Sequence, residues 1–201
     1  MSEPRIGRVL VASLHQAIAD LLPNRLEFYE NWINVTGLRE GTIGLAPLSA
    51  VLSFLRTEGP VYAPITARAG EYAGDWTVNT LTPLERRIIR GLPGSLRARA
   101  ALRVARMLVR STYPGSRAIV RLRGTTASID LRGSLFCEVR EVSAFPLCGF
   151  YASAIGRVMH HFDIRADATV TECRAGGARK GCLLSVVVNT GPAPVDEPAA
   201  A

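Results

Sequence analysis

The sequence predicts an α+β fold: N-terminal helices packed on an antiparallel β-sheet, with one helix inserted between strands. Three observations predict it. Apolar residues recur at helical spacing through the first 115 positions, they alternate from position 117 onward, and one helical stretch at 146–162 interrupts the alternating segments. A chain of 201 residues, 48% of them hydrophobic, buries a full core without covalent staples.

The elements follow in order. Ile6, Val9, Leu10, Leu14, Ile18 and Leu21 form one helical stripe, with Ser2 and Pro4 as start signals. Arg5, Arg8, His15 and Asp20 interrupt that stripe, and no small-residue cleavage site follows. The segment therefore reads as an amphipathic helix, not a signal peptide, and the expected location is cytoplasmic. A second segment spans 24–35 and stops at Thr36-Gly37, and 37–44 is a loop. Residues 47–56 form a short apolar helix closed by Gly59-Pro60, and 65–78 another. Thr82-Pro83-Leu84-Glu85 has the spacing of a capping box with proline in the first turn. Leu92-Pro93-Gly94 breaks that helix, and Ser95 is the expected cap of a long one reaching Tyr113-Pro114.

Then the period becomes two. Ala118, Val120 and Leu122 alternate with arginines, which makes a strand with one wet face. Turns at Gly124 and Gly133 lead to strands at 128–131 and 135–139, and a final hairpin pairs 168–174 with 182–189. The organisation expected is an N-terminal helical segment (1–59), a main α+β unit (60–190) and a disordered Pro- and Ala-rich tail (191–201).

The formal net charge is +7, with 23 Arg against a single Lys. Residues 86–123 hold eleven Arg and no Asp or Glu, so the remainder sums to −4 (7 − 11). Arg99, Arg103, Arg106 and Arg110 lie at steps of 4, 3 and 4, on the helix face opposite Ala101, Val104, Ala105 and Leu108. They form either a solvated face or a cationic strip for a carboxylate, a phosphate or an acidic protein. Aromatic residues do not interleave with them, which argues against nucleic acid. No apolar run approaches the roughly 18 residues of a membrane span.

Signatures of catalysis are missing: there is no phosphate-binding loop, dinucleotide fingerprint, HExxH or GxSxG. Catalytic residues are accordingly not assigned, and a reductase built on this chain would need an electron donor from a partner protein. The four cysteines, Cys137, Cys148, Cys173 and Cys182, include no CxxC pair, which excludes a zinc ribbon or a thioredoxin-like centre. They are either metal ligands or buried thiols. His160 and His161 are expected to cap a helix end, and Trp32 and Trp76 to line a core or pocket.

The Cys-bearing end carries a resemblance. The run Phe145-Pro146-Leu147-Cys148-Gly149-Phe150-Tyr151, followed by Glu172-Cys173-Arg174-Ala175-Gly176 and Gly181-Cys182, is similar to the 4-vinyl reductase domain family of TRAPP-like fold. Upstream, Ala69-Gly70-Glu71-Tyr72-Ala73, Leu92-Pro93 and the Arg-rich helix resemble its bacteriochlorophyll-associated branch, so that the likeness covers residues 60–190. The resemblance implies a pocket for a small hydrophobic ligand, such as a divinyl tetrapyrrole, with the protein as carrier or accessory. Arg99, Arg103, Arg106 and Arg110 would meet its carboxylates, and Trp76, Phe150 and Tyr151 its apolar body. It also implies two alternatives: a sensor of small aromatics or hydrocarbons, and a dimeric assembly protein without ligand. Sensor-branch members bind zinc through three Cys and one Glu, which match Cys148, Cys173 and Cys182 here. The position of the Glu is held by Val170; Glu172 would face away from Cys173 on a strand, and His161 is a substitute. A lipid-bearing relative makes Cys137 a position for a covalent anchor.

Overall fold

The computed structural model describes residues 6–33, 44–139 and 142–189. Its helices are α1 (Arg8–Leu21), α2 (Leu26–Glu30), α3 (Leu45–Thr57), α4 (Tyr62–Asn79), α5 (Pro83–Gly91), α6 (Gly94–Thr112) and α7 (Gly149–His161). Its strands are β1 (Arg117–Arg123), β2 (Thr126–Arg132), β3 (Arg165–Glu172) and β4 (Cys182–Asn189), in one antiparallel sheet of order β1-β2-β4-β3. The predicted class and the inserted helix are both present. All but Gly44 of the loop expected at 37–44, the end of the second segment and the tail 191–201 lie outside the described residues.

Side-chain period determines which surfaces meet. Leu10, Leu14 and Ile18 of α1 face α4, while Ala101, Val104, Ala105 and Leu108 of α6 face inward. Along β4, Cys182, Leu184, Val186 and Val188 all point into the same core. That core is one cluster, running from Ile6 to Val188 through every layer. Tyr151 sits inside it, its hydroxyl 3.2 Å from Thr112 Oγ1 and 3.4 Å from Ser116 Oγ. Burial pushes the Tyr151 phenol up to about 12.

The capping box forms as expected: the Glu85 amide donates to Thr82 Oγ1 at 3.2 Å, and the Thr82 amide donates to Glu85 Oε2 at 2.7 Å. Ser95, in contrast, does not cap α6. The extended residue before that helix is Pro93, and Ser95 lies within the first turn. The expected strand at 135–139 is also absent. Leu135, Phe136 and Cys137 form a 3₁₀ turn, because three consecutive side chains are buried and a strand would turn the middle one away.

The tightest helix contact is α4 against α7. A Cβ on Gly70 would stand 2.2 Å from the carbonyl oxygen of Phe150, and one on Gly74 2.9 Å from that of Ala154. Only glycine permits this approach, which fixes where α7 starts. Beside the crossing, Asp75 accepts hydrogen bonds from Arg157 Nε and His161 Nε2, both at 2.6 Å. Burial works to raise the Asp75 carboxyl, but the Arg157 and His161 hydrogen bonds outweigh it and hold it below its ordinary value. Gly70→Ala should destabilise the fold by about 3 kcal/mol through overpacking against backbone, with Gly91→Ala far milder because open space surrounds that position and its backbone has no left-handed φ. Denaturant midpoints of the two variants test this.

Candidate metal centre and cationic groove

The sequence brings one thiol to a common point from each of four local structures. Cys137 closes the 3₁₀ turn, Cys148 precedes the first turn of α7, Cys173 follows β3, and Cys182 opens β4. Cys148 is drawn inward, so α7 begins at Gly149 and not at the expected 146.

A bulge supplies Cys173. Ala166, Ala168 and Val170 of β3 face the core, and unbroken alternation would send Glu172 inward and Cys173 out. Val170 pairs with Leu184 and Glu172 with Leu183, however, so β3 carries one extra residue, Thr171, there. The Thr171 hydroxyl donates to the Leu183 carbonyl at 3.0 Å. The phase reverses, Glu172 faces solvent, and Cys173 enters the cluster.

All four sulfurs lie within 4.8 Å of one another. Cys137 Sγ is 2.9 Å from Cys148, 3.4 Å from Cys173 and 3.3 Å from Cys182. Cys182 Sγ is 2.9 Å from Cys148 and 3.8 Å from Cys173. These separations are too long for disulfides, at about 2.05 Å. Several are shorter than the roughly 3.5–4.0 Å of ordinary packed atoms. Four sulfurs bound about 2.3 Å from one ion would stand roughly 3.8 Å apart, so an outward movement of the closest sulfurs by less than about 1 Å separates this cluster from a tetrahedral metal site.

The surroundings fit thiolate ligands. Backbone N–H groups of Leu147 and Arg174 donate to Cys173 and Cys182 sulfurs, each at 3.4 Å. The thiols share protons unequally. Hydrogen bonds from Cys137, then Cys148 and Cys182, pull the Cys173 thiol well down, while the Cys137 contact pushes Cys148 up. Arg132, Arg174, Arg179 and Lys180 line a cavity of about 200 Å³ that reaches Cys137 and Cys182. A divalent ion with four thiolates has charge −2, which these cations offset. The four buried cysteines can therefore hold a metal ion.

The fourth member is the one the sequence reading missed. Cys137 is buried within the cluster, which leaves it inaccessible as a lipid anchor, and its closest partner is eleven residues away in sequence. His161 is committed to Asp75, and Glu172 is exposed.

The arginine strip lines a real depression. Arg99, Arg103 and Arg106 of α6 stand over Leu102, Val120 and Leu122 in a groove of about 280 Å³. Arg106 also borders a neighbouring hollow of about 550 Å³, which Arg110 and Arg117 share. Among the described residues, none of Arg99, Arg103, Arg106 or Arg110 has an acidic partner. The other predicted ligand residues lie elsewhere. Phe150 and Tyr151 are fully buried, Phe150 stacked on Phe136 at 4.9 Å between centroids. Trp76 stacks on Tyr72 at 5.7 Å, outside the groove.

No known protein family matches the chain, and no curated protein is similar to it.

Metal content separates the two candidates for the fourth ligand. In protein incubated with a divalent metal ion, Cys137→Ser should lower the metal retained as completely as Cys148→Ser, whereas Glu172→Gln should leave it unchanged by elemental analysis.

Proposed function

We propose that the chain is a binding module of the 4-vinyl reductase kind, in which a zinc ion braces the sheet against α7 and the groove between α6 and β1 takes an amphipathic carboxylated ligand. The observation that carries the binding reading is the groove itself: guanidinium groups without an acidic partner among the described residues, beside apolar Leu102, Val120 and Leu122. Such a surface suits a molecule with a flat hydrophobic body and acidic side chains, because Arg pairs with carboxylates in bidentate fashion while Leu102, Val120 and Leu122 exclude water. A divinyl tetrapyrrole precursor of bacteriochlorophyll has that chemistry, and the resemblance of residues 60–190 favours it. The protein would act as its carrier or as an accessory to a separate reductase.

The donor set favours zinc. Four thiolates in a closed site select a soft ion, and zinc forms tetrahedral structural centres of this composition without redox chemistry. Cys137, Cys148, Cys173 and Cys182 would hold it. Its role would be to tie the 3₁₀ turn, the start of α7 and the β3–β4 hairpin together. Stripping the metal with a chelator should lower the melting temperature by about 10 °C or more, restored on adding one equivalent of zinc.

Titration with a divinyl chlorophyllide, followed by pigment absorbance, tests the ligand. Saturable binding is expected, with Arg103→Glu weakening it at least about tenfold and leaving a neutral ester of the same pigment unaffected. Equal loss for acid and ester would overturn the groove assignment.

A further inference from the structure

The helix α5 buries none of its nine residues. Its inner side is held by Arg90, whose Nε donates to the His161 carbonyl at 3.0 Å, and by half-buried Ile89. The opposite side presents Leu84, Arg87 and Ile88, at helical steps of 3 and 1, to solvent. Leu84 is 66% exposed and Ile88 55%, and Leu96, in the first turn of α6, is 48% exposed. Single exposed leucines are ordinary, but two large apolar side chains on a capped helix that buries nothing, with a third in the first turn of the next helix, leave this short segment rich in exposed apolar surface.

Charge identifies the occupant. This surface lies at the start of the segment 86–123, with eleven arginines and no acidic residue. Arg87, Arg99 and Arg103 are exposed and have no acidic partner among the described residues. A helix with apolar side chains projecting outward and arginines beside them matches the interfacial region of an anionic bilayer, where leucines enter the acyl boundary and guanidiniums remain at the headgroups. Among the described residues no helix is long and apolar enough to cross a membrane, and the attachment considered is peripheral.

We infer that the outer side of α5 and the first turn of α6 dock this protein on anionic membrane surfaces through Leu84, Ile88 and Leu96, with Arg87 meeting the lipid phosphates. This goes beyond the ligand reading and does not depend on it, because Leu84, Arg87 and Ile88 lie outside the groove.

Co-sedimentation of the full chain with vesicles tests the inference. Vesicles of phosphatidylcholine containing about one-third phosphatidylglycerol should bind the protein, and phosphatidylcholine alone should not. Leu84→Ser/Ile88→Ser should reduce partitioning roughly five- to tenfold, and Arg87→Glu at least as much. Both variants should keep the parent melting temperature and the parent response to the chlorophyllide. Equal binding to neutral vesicles, no binding to anionic ones, or full retention by Leu84→Ser/Ile88→Ser would each overturn the proposal; the last would leave a purely electrostatic contact, as with an acidic protein.

Discussion

Four buried thiols meeting at one point constrain everything around them. Each comes from a different local structure, so the 3₁₀ turn, the start of α7 and both strands of the last hairpin must be positioned together. Unligated, such a cluster would crowd polarizable groups at distances shorter than ordinary packing allows. A shared cation would remove that conflict. The glycine contacts of α4 set the same geometry from the other side, because the backbone of Phe150 can approach Gly70 only in the absence of a side chain. The cluster and the helix crossing thus locate the start of α7 twice over.

The basic region follows a different logic. Among the described residues only Arg90 of its arginines is ion-paired, to Asp163 at 4.0 Å, whereas Asp20, Asp75 and Asp130 each hold a guanidinium elsewhere in the molecule. Acidic residues are therefore committed near α4, α7 and β2, and the α5–α6 side is left with an uncompensated positive field. Such a field acts over a Debye length of about 8 Å at physiological salt, so it orients anionic partners before any contact forms.

Much of this architecture was legible in the sequence. The long apolar stripes of α1 and α6, the change of period at Arg117 and the Thr82–Glu85 box depend on neighbours close in the chain, so they read directly. Three features did not. Leu135-Phe136-Cys137 is a short apolar run, for which strand and buried turn have the same pattern. Thr171 gives no local sign that it will bulge, yet it decides whether Glu172 or Cys173 points inward. Cys137 joins the other thiols only because of that turn, and its spacing to Cys148 matches no common ligand motif. The arginine face was visible, but its apolar floor required knowing that β1 lies beside α6.

The order of the strands has one more consequence. β1 and β3 are the free edges of the sheet, and the outward side chains of β1 include Arg117, Arg121 and Arg123. Two copies joined edge to edge through β1 would place these like charges against each other, and the bulge in β3 would interrupt a continuous ladder there. The sheet is thereby guarded against self-templated growth, a hazard that every open β-edge carries into a crowded cell.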